Sequence, residues 1–201
     1  SEDDFECHTI VGSFLYKQAV CDGISKAFKQ LCDLARINCN VVFGDSWNEY
    51  EKPQKHAWNM VKIDKDWYHI DVTWNINLSQ RLKYVRYDYF NIRESDVIKD
   101  HRNFDKLEIC DSLKNNFFYE NKCILNGRNE LEKFLVDKLN NIKNNNASKN
   151  IYFKLYLKEN EDACSLISNA ISKASIKTFY FSTGYTLNSN STQNVYLIRL
   201  N

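Results

Sequence analysis

Residues 56–75 read HAWNMVKIDKDWYHIDVTWN. The stretch is rich in aromatic and β-branched residues, broken once by Asp64-Lys65-Asp66, and predicts two strands joined by a tight turn. Side chains alternate faces along a strand, so the length of the turn decides which residues share a face. A two-residue loop, Asp64-Lys65, sets Ile63 opposite Asp66, Trp58 opposite Asp71 and His56 opposite Thr73. His56 and Asp71 are then diagonal neighbours on one face, within reach of each other. A three-residue loop puts them on opposite faces. Lys65 stands where a tight hairpin prefers Gly.

An imidazole beside a carboxylate is the orienting half of a nucleophilic triad, in which the acid fixes the tautomer and stabilises the imidazolium. The matching nucleophile stands thirty-five residues upstream, where Cys21 opens a patterned helix in AVCDGISKAF. The order Cys21, His56, Asp71, in the contexts AVCDGISKAF, HAWN and WYHIDVTWN, resembles the transglutaminase-like superfamily, above all its bacterial members. The run from Tyr87-Asp88-Tyr89-Phe90 to His101 also resembles the segment after the Asp strand in that family. The resemblance covers roughly the first half of the chain. It implies a papain-like α+β core in which a helix bearing the Cys packs on an antiparallel sheet. It also implies roles: Cys21 attacks an amide carbonyl, His56 is general base and then acid, and Asp71 orients the ring.

Physical chemistry supports the same residues. The free N–H groups of a helix N-terminus favour a thiolate, and no Ser or Thr precedes Cys21 to cap them. Gly23 in the first turn is expected to open space beside the sulfur. Gln18, Gly23, Trp47, Trp58 and Trp74 are the candidate groove residues, and Tyr16 joins Gln18 as a candidate oxyanion donor. Taken singly, Cys21 reads as a packed core cysteine, His56 as a polar strand residue, Asp71 as a salt-bridge carboxylate, and the tryptophans as core. His69 shares the strand face of Asp71 and is the competing base. A zinc site from Cys21, His56, His69 and Asp71 is the rival reading, though it lacks the closely spaced ligand pair usual for such sites. His8 and His101 default to structural roles.

The chain has 201 residues, 43% hydrophobic and 14% aromatic, enough for a packed core. A net charge of +1 without a basic run argues against nucleic acid as the main partner. No apolar run reaches membrane-spanning length, and the opening residues do not read as a signal peptide. The start lies so near Cys21 that the chain is expected to be a piece of a longer protein, with an extracellular or cell-surface setting one expectation. Seven cysteines without a C-x-x-C pair are expected to be mainly reduced and buried. The absence of a D-x-[DN]-x-[DN]-G loop predicts no calcium dependence, and no cofactor is expected.

Around this core the sequence predicts a lead-in packed through Ile10, Val11, Phe14 and Leu15, and a helix over Cys21–Arg36 burying Ile24, Ala27, Phe28, Leu31, Leu34 and Ala35. It predicts a strand Asn40–Phe43 ended by Gly44, a loop Asp45–Lys55 with Trp47, Asn48 and Tyr50, a strand Tyr87–Asn91 and a helical turn Ser95–Asp100. The pattern weakens beyond about 105, placing a catalytic domain at 1–110 and a small α+β accessory domain at 111–201. There it predicts helices Glu130–Ile142 and Ala163–Ala174, a solvated Asn-rich loop over 143–148, and strands Ile151–Tyr156, Thr178–Ser182 and Val195–Leu200. The functional expectation is thiol-dependent acyl transfer on a protein or peptide substrate, hydrolytic as in a cysteine peptidase or amidase. The alternatives are a transglutaminase, a catalytically silent peptide-binding module, and a structural domain of a larger protein.

Overall fold

The computed structural model describes residues 5–47, 52–145 and 147–201; Asn48 and Tyr50 of the predicted loop cluster, and Asn146 of the Asn-rich tract, lie outside them. The fold is mixed α+β. It divides into two compact units, one ending at Phe117 and the other running Phe118–Asn201.

The first unit is built on an antiparallel sheet of β1 (Cys39–Ser46), β2 (Gln54–Ile63), β3 (Asp66–Ile70) and β4 (His101–Arg102), in the order β3-β2-β1-β4. The β2–β3 turn is the two-residue one, with Ile63 opposite Asp66. Asp64, and not Lys65, takes the positive φ of 56°, a region that Asp tolerates better than most residues. The second strand is shorter than its β-branched run predicts. It stops at Ile70, and Val72–Leu82 form a helix, α2, with Asp71 at its N-cap. The Asp71 carboxylate accepts the Trp74 N–H at 2.9 Å, and this cap overrides the β propensity of Val72 and Thr73.

Helix α1 (Cys21–Leu34) packs on β1 and β2. Its buried face differs from the predicted stripe. Leu31 and Leu34 are 52% and 73% exposed, while Ser25 is buried. Two polar bonds dock the helix: Ser25 Oγ donates to the Ala57 carbonyl at 2.9 Å, and Asn59 Nδ2 donates to the Ser25 carbonyl at 3.0 Å. Below them Phe28 and Cys32 meet Cys39, Val61, Tyr68 and Ile70 in one apolar cluster. Trp58 and Met60 point the other way, into a second cluster with Val42, Tyr89, Ile92 and Val97. The lead-in does not pack through its apolar residues. It forms a 3-10 turn at Phe5–His8 and a π-helical turn at Gly12–Tyr16, leaving Ile10, Val11, Phe14 and Leu15 exposed. The predicted strand at Tyr87–Asn91 is irregular chain, touching the sheet through one bridge between His69 and Ile92. The predicted helical turn is α3 (Glu94–Val97).

Residues 111–117 side with the first unit, seven positions beyond the predicted boundary: Asn91 Nδ2 donates to the Asn115 carbonyl at 2.8 Å, and Tyr68 Oη donates to Ser112 Oγ at 3.1 Å. A single turn, α4 (Phe117–Glu120), leads into the second unit. Its sheet has the order β5-β6-β8-β7, from β5 (Ile124–Asn126), β6 (Asn150–Tyr156), β7 (Tyr185–Asn190) and β8 (Val195–Leu200), with β5 and β6 parallel. Helices α5 (Gly127–Asn145) and α6 (Ala163–Thr178) pack on each other. Leu131, Leu135, Leu139 and Ile142 form the apolar stripe of α5. The predicted strand at 178–182 is displaced, because α6 continues to Thr178 and closes on Phe179 at φ 52°. Phe179 and Phe181 are left exposed. The helix α5 also takes Lys143–Asn145 from the predicted Asn-rich loop.

Gly44 lies inside β1 instead of ending it. A Cβ there would stand 2.6 Å from the Arg102 carbonyl oxygen and 2.8 Å from Trp58 Cη2, so glycine lets β4 come close to the sheet. Neither neighbour is a flexible side-chain end. Gly44→Ala is expected to destabilise the protein by about 1–3 kcal/mol, as overpacking does. A chemical-denaturation midpoint reads this, and an unchanged midpoint would refute the tight approach.

Candidate active site

Cys21 is the first residue of α1, behind an extended Val20 N-cap that offers no side-chain cap. The first amides of that turn are the ones a helix leaves unsatisfied. Gly23 serves differently from the expectation. A Cβ there would collide with the Cys7 carbonyl oxygen, so the glycine admits the 5–8 turn against the helix rather than opening space beside the sulfur.

His56 enters from β2, one residue before the peptide that anchors α1. Its Nε2–H donates to Asp71 Oδ2 at 2.7 Å, with both groups buried. This leaves Nδ1 for the Cys21 thiol, whose ionisation the ring favours. The ring stacks on Trp58, with centroids 6.0 Å apart, and lies 5.6 Å from Trp74. The structure thus brings together Cys21, His56 and Asp71, from the start of a helix, a strand and the junction of a strand with a helix.

Burial opposes ionisation of the Cys21 thiol. The His56 hydrogen bond and charge, with the Ala57 N–H, outweigh burial, and its pKa is lowered. Burial also opposes the charge on His56, but the Asp71 and Cys21 bonds and charges carry its pKa up to about 9. Asp71, despite its burial, is held at about 2 by His101 and His56. At neutral pH His56 is therefore an imidazolium and Asp71 a carboxylate, and both His56 interactions draw the Cys21 thiol toward its thiolate. Elsewhere burial prevails, pushing the Cys39 and Cys110 thiols up to about 12 and Cys123 to about 11.

His69, the competing base, is turned elsewhere. Trp58 Nε1–H donates to its Nδ1 at 3.1 Å, and its Nε2–H donates to Glu94 Oε2 at 3.2 Å. That tautomer is neutral, and burial lowers its pKa to about 4. The zinc rival loses its fourth ligand with it. Imidazole nitrogens of His56 and His101 and an oxygen of Asp71 do lie within 4.8 Å of one another, but both nitrogens already donate to that oxygen. His101 is the site residue that sequence reasoning leaves structural. Its place at the end of the family-like run over 87–101 is the available signal.

Of the groove candidates, Trp58 is 0% exposed and Gly23 is buried, so neither faces a substrate. Trp74 is half-buried against His56 and Tyr89. Trp47 is half-buried beneath the Arg102 guanidinium at 4.2 Å. Gln18 is exposed and lines a cavity of about 310 Å³ with Glu6, Cys7 and Tyr16.

Iodoacetamide at about pH 6 is expected to label Cys21 ahead of the six other cysteines, the exposed Cys164 included. Raising pH through about 9 removes the His56 proton and with it the ion pair. Stability from the raised His56 pKa is therefore complete below the unfolded value of about 6.5 and is lost as pH rises through about 9. Peptide mapping across pH, with His56→Ala as control, checks this. Equal labelling of Cys21 and Cys164 at acid pH would overturn the ion pair.

Residues 4–72 match the family described as the transglutaminase-like superfamily. Over 121 residues the chain is 26% identical to human kyphoscoliosis peptidase, a match covering 51% of this chain and 18% of that protein. Among the described residues no helix is long and apolar enough to cross a membrane. The family match falls on the segment that carries Cys21, His56 and Asp71, and that segment is similar to the transglutaminase-like superfamily, which includes cysteine peptidases and transglutaminases.

Proposed function

We propose that the protein is a thiol acyl-transfer enzyme, hydrolytic in outcome, acting on an amide of a protein or peptide. The observation that carries the reading is the buried His56–Asp71 hydrogen bond of 2.7 Å beside a cysteine at an uncapped helix start. In this reading the Cys21 thiolate attacks the amide carbon, and the Cys21 N–H at the helix start is a donor for the resulting oxyanion. His56, already protonated, gives its proton to the departing amine and leaves a thioester on Cys21. It then takes a proton from the water that attacks the thioester and returns the thiolate–imidazolium pair. Asp71 keeps the ring oriented and its cation stabilised throughout. Hydrolysis is favoured over amine transfer because the curated relative is named a peptidase.

A screen of peptide hydrolysis and of amine incorporation into glutamine-containing proteins tests this, comparing wild type with Cys21→Ala. Hydrolysis is expected in wild type and absent in Cys21→Ala. His56→Ala is expected to cost about 10²–10⁴-fold, the span of a general acid–base group. Asp71→Asn should retain the helix cap, since Asn caps as well as Asp, and lose activity without losing the fold. Amine incorporation without hydrolysis would replace the peptidase by a transglutaminase. No Cys21-dependent turnover in either assay would leave a binding module.

A further inference from the structure

His101 is 0% exposed and sits between two carboxylates. Its Nδ1 lies 2.7 Å from Asp100 Oδ1, and its Nε2 lies 3.1 Å from Asp71 Oδ2, the same oxygen that accepts from His56. A carboxylate offers only acceptors, so a ring facing one at each nitrogen must carry a proton on both. Asp100 is itself fixed, since Tyr89 Oη donates to its Oδ2 at 2.8 Å. Aromatic rings close the remaining sides, with Trp58 and Trp74 each 4.7 Å from His101 between centroids. No substrate reaches a group in this place.

We infer that His101 is a positioning residue for the reaction: as a standing imidazolium it holds Asp71 Oδ2 in place for His56. The inference rests on the reading of Cys21 and His56 given under Proposed function. Asp71 Oδ1 is tied to the Trp74 N–H, and His101 ties the other oxygen, so the carboxylate cannot turn about its Cβ–Cγ bond. A carboxylate held only at Oδ1 would let the His56 ring follow its rotation away from Cys21. The charged groups around His101 are Asp71 from the α2 N-cap, Asp100 from its own segment, and His56 from β2 at 5.4 Å between ring centroids. Burial works against charge on His101, yet the two carboxylates raise its pKa. The cation keeps a second positive charge near His56, which the shared oxygen of Asp71 separates from it.

Two near-isosteres divide the ring's bonds. The Gln amide nitrogen falls near the position of Nε2 and retains a donor for Asp71; that of Asn falls near Nδ1 and retains only the Asp100 bond. His101→Gln is expected to alkylate at Cys21 at about pH 6 within a few-fold of wild type. His101→Asn should lose at least about tenfold, one pKa unit of thiolate–imidazolium preference. Both should melt alike. Wild-type labelling in His101→Asn, or equal loss in both variants, would overturn the role. A second measurement is free of folding artefacts: imidazole ¹⁵N NMR of the unmodified protein at about pH 7 should find both His101 nitrogens protonated, and one bare nitrogen would overturn the inference. Failure of the enzyme reading itself shows separately, as slow Cys21 labelling in wild type, while the NMR result still decides the state of His101.

Discussion

A single buried carboxylate holds this site together. Asp71 sends one oxygen to the first turn of α2 and the other to two imidazoles. An unpartnered charge in such a place would be neutralised or expelled. Here every partner is a donor, and two are cations, so the group stays ionised with its pKa at about 2. The same atoms that stop β3 and start α2 therefore set the ring that faces Cys21. Fold and chemistry share the residue, and neither use is available without the other.

The electrostatics around Cys21 contrast with those of the other cysteines in the chain. Cys39 and Cys110 are buried without a neighbouring imidazolium; the Lys29 charge and the Asn59 amide favour a Cys39 thiolate too weakly to offset burial, and both pKa values rise to about 12. Cys21 suffers the same desolvation but gains a cation and the Ala57 N–H. Ala57 is free to turn its N–H this way because β3 pairs with β2 only from Asn59 onward. The shortness of β3, which follows from the Asp71 cap, thus reaches the sulfur through the backbone of the neighbouring strand.

Much of this was legible in the residues. The two-residue turn at Asp64-Lys65, one of two loop lengths the residues left open, is the one that sets the register of β2 and β3, and the Cys21 helix was visible from its period. The failures have particular causes. Val72 and Thr73 look like strand, and only the carboxylate three residues before Trp74 reveals a cap. Leu31 and Leu34 look like core, yet the helix docks through Ser25, whose partner is a backbone carbonyl and so leaves no mark in the sequence. Aromatic residues at 179–181 look like strand, but α6 outlasts its predicted end by four residues before Phe179 closes it. His101 could not be assigned, because the Asp71 carboxylate that gives it a place in the site is brought to it only by tertiary structure.

The bonds of Ser25 and Asn59 have a mechanical meaning. Apolar surfaces in contact resist separation but tolerate sliding and rolling, since one methyl group replaces another at little cost. Here α1 is engaged with β2 by two directional bonds, Ser25 Oγ to the Ala57 carbonyl and Asn59 Nδ2 to the Ser25 carbonyl, one turn beyond Cys21. A slip by one residue shifts a helix by about 1.5 Å and rolls it by about 100°, and misplacement of about 1 Å can cost about 10²-fold in rate. The pair acts as a detent against that slip, placed near the Cys21 sulfur, while the far end at Leu34 lies open to water. The helix is gauged from its chemical end.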